Sequence, residues 1–81
     1  MTDDEVVLGH VKFWLREKGW GAIVSPDLPF DVFASFAVID APGYRTLDEG
    51  DPVEFRYEEC WGGQTSWHYR STWVRRLDAA R

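Results

Sequence analysis

A single cysteine, Cys60, occurs in the 81 residues of the chain, so no disulfide can close within it. That excludes the cross-linked scaffolds of small secreted domains and fits a reducing compartment. No apolar run approaches the ~18 residues that a membrane-spanning helix requires. Residues 1–5 are acidic, the opposite of the basic start of a secretory signal. The expectation is a soluble, cytoplasmic protein with no membrane association. With one cysteine and two scattered histidines, His10 and His68, zinc-type ligand spacing is absent. A Cys60–His68 nucleophilic pair across a hairpin is conceivable from the spacing, but no third partner or oxyanion element is legible. The chain is therefore expected to need no metal or cofactor and to be no enzyme. Long amphipathic helical patterns, internal repeats and low-complexity tracts are also missing.

Positive charge is in short supply. Nine lysines and arginines face fourteen aspartates and glutamates, a formal net charge of -5. Whole-molecule steering therefore opposes a polyanion. The charges are unevenly placed, however. Lys12, Arg16 and Lys18 gather near two glycines, Arg70, Arg75, Arg76 and Arg81 lie toward the C-terminus, and acid is dense from Asp40 to Glu59. A local basic patch is compatible with this distribution.

Apolar and aromatic residues are abundant, at 44% and 16% of the chain, which excludes intrinsic disorder. The length allows one domain, expected over 6–77 between an acidic tail at 1–5 and a short tail at 78–81. Strands are expected over Val6–Leu15, Trp20–Ser25, Asp31–Ile39, Val53–Glu58 and roughly Thr65–Val74. Strict alternation puts Phe13 with Val7, Gly9 and Val11, and Trp14 with Leu8, His10 and Lys12. In the last strand it puts Trp67, Tyr69, Ser71 and Trp73 together. Arg16–Gly19 reads as a turn, Pro26–Pro29 as a loop, and Trp61-Gly62-Gly63-Gln64 as a hairpin connection. Five short strands in one small domain predict an all-β, closed or nearly closed barrel.

Five tryptophans are more than so small a core can hide. Stacking on nucleobases needs flat, exposed side chains at strand spacing with cations nearby. Phe13, Trp20 and Phe33 meet that need if adjacent strands bring them to one face, with Lys12, Lys18 and Arg45 around them. On this reading Gly19 and Gly21 keep the backbone low beside Trp20 so that a base can lie on its ring. For any one of these aromatics, packing into the barrel is the simpler explanation; for the whole set it is not. Val11, Ile23, Val32, Ala34, Val53, Phe55 and Val74 are the better core residues. His68 is expected to be a polar strand residue or an edge contact with ligand.

Three segments, Gly9-His10-Val11-Lys12-Phe13-Trp14, Lys18-Gly19-Trp20-Gly21-Ala22-Ile23 and Asp31-Val32-Phe33-Ala34-Ser35-Phe36, together resemble the cold-shock domain family. Gly43-Tyr44-Arg45-Thr46-Leu47-Asp48-Glu49-Gly50 is similar to that family's connection between its third and fourth strands. The resemblance spans roughly Val6 to Leu77 and is weakest in the last strand. It implies a five-stranded barrel of the oligonucleotide-binding type that stacks bases of single-stranded RNA or DNA. Such proteins act, without catalysis, as RNA chaperones, transcription antiterminators or regulators. The resemblance also implies binding roles for Lys12, Phe13, Trp14, Lys18, Trp20, Phe33, Phe36 and Tyr44. Ser35 stands where the family has histidine, Ala22 where it has a second aromatic, and Leu15 where it has asparagine. With base stacking worth about 1–3 kcal/mol per base, two lost rings weaken the platform substantially. Two classes of partner follow: single-stranded nucleic acid, or a protein, such as transcription machinery, that contacts the same kind of barrel. The chain is expected as a monomer or weak homodimer.

Overall fold

In the computed structural model, which describes residues 6–43, 45–60 and 67–77, the alternating runs become five strands. They are β1 (Val7–Leu15), β2 (Trp20–Val24), β3 (Val32–Ser35), β4 (Pro52–Glu59) and β5 (Tyr69–Arg76). They close into one barrel in the order β1-β2-β3-β5-β4. Antiparallel pairing joins β1 to β2 and β4, β2 to β3, and β4 to β5, while a parallel pairing of β3 with β5 completes the ring. The all-β five-stranded barrel read from the sequence is the fold observed. No helix among the described residues is long and apolar enough to cross a membrane. The tails at 1–5 and 78–81, Tyr44, and the double-glycine connection within 61–66 lie outside the described residues.

Val11, Ile23, Val32, Ala34, Val53, Phe55 and Val74 are all buried, and Val7, Ile39 and Leu47 join them in one core. Leu47 comes from the connection before β4. That segment is tied to β1 by the Gly50 N–H on the Val11 carbonyl (2.8 Å) and the Val11 N–H on the Asp51 carbonyl (2.9 Å). The connection is thus part of the barrel wall. Each fully buried side chain of this kind is worth roughly 1.5–3 kcal/mol, a large share of the about 5–15 kcal/mol that such domains have in total.

Two bulges overturn the strict alternation. In β1, Val11 pairs with Ile23 but Phe13 pairs with Ala22, so Lys12 is the extra residue. From there the sides exchange: Phe13 joins the outer rings and Trp14 packs against the core. In β5, Arg56 pairs with Trp73 and Tyr57 with Ser71, so Thr72 is extra. Ser71 and Val74 are consequently both buried, while Trp73 lies outside between the Arg56 and Arg75 guanidinium groups. Bulges add local twist, which a small closed barrel needs.

Strand ends also differ from expectation. The third strand stops at Ser35 rather than Ile39, because the Phe36 N–H donates to the Gly19 carbonyl (2.8 Å) and Phe36–Val38 form a 3-10 turn. The turn drops Ile39 into the core and brings the Asp40 N–H to the Val74 carbonyl (2.7 Å). The last strand begins at Tyr69, with Trp67 and His68 ahead of the ladder, and runs on to Arg76. It is drawn there by β4, which starts at Pro52 and offers Val53 to Arg76 and the Pro52 carbonyl to the Leu77 N–H (2.9 Å). Proline is tolerated at that first strand position because its missing N–H is not called on.

Candidate functional site

The register around β2 sets Phe13, Ala22 and Phe33 in one row and Leu15, Trp20 and Ser35 in the next. Residues directly opposite in a sheet stand about 4.5–5.5 Å apart, so rings on these rows meet. Phe13 and Trp20 have centroids 6.0 Å apart at 72°, and Trp20 and Phe33 are 5.7 Å apart at 36°. Three of the aromatics named from the sequence thus form one half-exposed strip on the outer face, with Ser35 beside Trp20. Ala22, where a ring was expected, is 0% exposed. Its methyl group is sealed between the rows of larger side chains.

Gly21 has a different purpose from the one its neighbourhood suggested. It pairs with Trp14 and Ala34, on the inward side of β2. A Cβ there would sit on the Phe13 carbonyl oxygen and 2.7 Å from Cε3 of the Trp14 ring. The space above Gly21 is therefore filled by Trp14 and not available to a base over Trp20. Gly19, at φ 77°, closes the tight turn after β1, where the Lys18 and Gly19 N–H groups both donate to the Leu15 carbonyl (3.0 and 2.7 Å).

The remaining predicted residues are divided between the ends of the strip. Trp14, Lys18 and Phe36 line a groove with Arg16, Arg45 and Thr46 beside the β1–β2 turn. At the other end His68 lies stacked on Phe30, centroids 3.9 Å apart at 29°. Lys12 is bound to Asp31 at 2.8 Å, and Tyr44 is outside the described residues. Arg16 pairs with Asp48, Arg70 with Glu58, Arg75 with Glu54 and Arg76 with Asp51. Among the described residues, Lys18 and Arg45 carry no ion pair, so their charge is uncompensated, and both face the Phe36 groove.

One ring that the sequence did not assign to the site belongs to the same cluster. Trp67 stands 5.4 Å from Phe33 at 59° and 6.3 Å from Trp20 at 87°. It arrives there because the parallel register sets Val32 against Tyr69 and Phe33 against Arg70. Such long-range pairing leaves no local mark in the chain. As for Cys60 and His68, their link is a backbone one, the Cys60 N–H on the His68 carbonyl at 2.8 Å. The His68 imidazole is turned to Phe30. No group of three or more His, Cys, Asp or Glu suited to a metal occurs among the described residues.

Comparison with known proteins agrees with this architecture. The profile described as the 'Cold-shock' DNA-binding domain matches residues 7–67. The cold shock-like protein CspE of Buchnera aphidicola subsp. Acyrthosiphon pisum is 42% identical over 53 residues, covering 65% of this chain and 77% of its own. The major cold shock protein CspA of Bacillus cereus is 43% identical over 53 residues, 65% of this chain and 78% of its own. The major cold shock protein of Micrococcus luteus is 39% identical over 54 residues, 67% of this chain and 81% of its own.

Proposed function

This chain belongs to the cold-shock domain family, and from that premise we propose that it binds single-stranded RNA or DNA by stacking unpaired bases on Phe13, Trp20 and Phe33. The observation that carries the reading is the continuity of those rings on one outer face, at centroid spacings of 6.0 and 5.7 Å. Three stacked bases contribute on the order of 3–9 kcal/mol before the cost of ordering the strand. Lys18 and Arg45, at the foot of the strip, meet the phosphates. Binding of this kind replaces stacking lost when a hairpin melts, so the protein serves as an RNA chaperone, antiterminator or regulator without catalysis or cofactor. The working unit is residues 6–77, acting in the cytoplasm as a monomer or weak homodimer.

The test is a tryptophan fluorescence titration with short pyrimidine-rich and mixed single strands at two salt concentrations. Quenching that weakens as salt rises supports the reading. A silent titration at high micromolar oligonucleotide sinks it. In parallel, Trp20→Ala combined with Phe33→Ala should lower affinity by about 2–6 kcal/mol with the barrel intact by circular dichroism.

A second reading has its own observation. On the opposite wall Trp73 lies 5.3 Å from the Arg56 guanidinium and 5.9 Å from that of Arg75, and donates its indole N–H to Asp40 (3.0 Å). On the neighbouring β1, Leu8 is 58% exposed and pairs with Glu54. Tryptophan and arginine beside exposed aliphatic surface are what protein interfaces favour. Capture of a protein partner that Trp73→Ala abolishes, with no oligonucleotide binding, would make this the function instead.

A further inference from the structure

The strip Phe13–Trp20–Phe33 lies along three strands, and its rings expose mainly one side each. Trp67 is set differently. At 87° to Trp20 and 59° to Phe33 it stands up from the strip rather than paving it. A standing ring has two faces to offer, and a hollow lies on each side of it. One is lined by Phe33, Cys60, Trp67 and Arg70. The other is lined by Pro29, Phe30, Asp31, Trp67 and His68. Each hollow has an aromatic wall opposing Trp67: Phe33 in the first, the stacked pair Phe30 and His68 in the second.

We propose that Trp67 is a partition between two further base-binding subsites, which extend the strip beyond β3. The proposal rests on the nucleic-acid reading above and deepens it. The walls are flat and apolar, which suits a nucleobase. The charges at their rims point the same way. Asp31 edges one hollow, and Glu58, paired with Arg70, borders the other. Carboxylates repel phosphate and accept hydrogen bonds from base N–H groups. The guest is the base, and its phosphates stay on the solvent side. The ring missing at Ala22 is thus offset by one carried on the approach to β5, in a place where both of its faces can be used.

The experiment follows fluorescence anisotropy of end-labelled single strands from about three to about eight nucleotides, the shorter length matching the three rings of the strip. For the unmodified chain affinity should keep rising past about three nucleotides. Trp67→Ala should abolish that rise, lowering affinity for a strand of about six nucleotides by about tenfold or more. The shortest strand should change by no more than about twofold, since its stacking rings remain. Phe30→Ala should remove part of the gain. Trp67→Leu keeps apolar bulk and separates loss of a stacking ring from loss of packing. If both Trp67 variants bind the longer strands like the unmodified chain while Trp20→Ala with Phe33→Ala does not, the partition is wrong and the strip stands. If the strip variant also binds undiminished, both readings fail. Should the Trp67 variants not fold, the indole N–H resonances of the unmodified chain decide. Displacement of both Trp20 and Trp67 signals by a strand of about six nucleotides supports the proposal, and displacement of Trp20 alone overturns it.

Discussion

Replacing Gly21 by alanine tests whether that position serves packing or ligand access. The added Cβ would coincide with the Phe13 carbonyl oxygen and lie 2.7 Å from the Trp14 ring and 2.9 Å from the Trp14 Cα. Backbone atoms of a paired strand cannot rotate away, so β1 and β2 must part or Trp14 must leave its seat against the core. Overpacking a core costs typically about 1–3 kcal/mol. Because two of the three contacts here are main-chain, the upper end, about 3 kcal/mol, is the expected loss. In a domain of this length that lowers the melting midpoint by roughly 10–25 °C. Gly19→Ala provides the comparison. Its φ is 77° and its Cβ would meet a movable Phe36 ring at 3.1 Å. Left-handed strain of about 1–2 kcal/mol is the expected cost there, a smaller shift. Thermal melts of both variants by circular dichroism, with oligonucleotide titration of each, check the reasoning. A Gly21→Ala protein that melts within about 2 °C of the original but binds poorly would refute it, since a shift that small means under about 1 kcal/mol. That result would restore the idea that Gly21 makes room for a base.

Further outcomes follow from the same geometry. Asp31→Asn should change stability by no more than about 1 kcal/mol, because the Lys12–Asp31 pair is exposed. It should nevertheless raise affinity for single strands and steepen the salt dependence by about 0.7 in log–log slope as Lys12 is released. The unmodified chain should show a shallow slope of roughly -1.4, from two engaged cations, Lys18 and Arg45. Ser71→Ala removes the hydroxyl that donates to the Phe33 carbonyl at 3.0 Å. It should cost about 1–2 kcal/mol by chemical denaturation. Phe55→Ala empties a 0% exposed position; its expected cost of about 3–5 kcal/mol leaves a chain this small partly unfolded at ambient temperature.

The fold was legible because its signals are local. Alternating runs, glycine and proline punctuation and the buried set from Val11 to Val74 all lie in neighbouring residues. What escaped were features created by closure. Nothing in Val11-Lys12-Phe13-Trp14 announces that Lys12 will be squeezed out of the ladder, yet that bulge decides which of Phe13 and Trp14 faces outward. The same holds for Thr72 and the placement of Trp73. In the site, Phe13, Trp20 and Phe33 were readable because antiparallel neighbours with short connections bring them together. Trp67 was not, since its place follows from a parallel pairing between distant strands. Gly21 was misjudged for a related reason: a glycine beside a tryptophan in sequence serves the tryptophan across the sheet.

The parallel joint between β3 and β5 also sets an order of events in time. It consists of two residue pairs, and the Ser71 hydroxyl that reinforces it reaches across 38 positions of the chain. The β1–β2 hairpin, by contrast, needs only a tight turn and can form early; distant closures come late because chain entropy opposes them. The joint that closes last is also the first to part when the native barrel breathes, so amide exchange should be fastest along β3 and the start of β5. Phe33 and Trp67 stand on its two lips. Any guest seated on both rings would act as a clasp, and its residence time would be tied to how often the barrel opens.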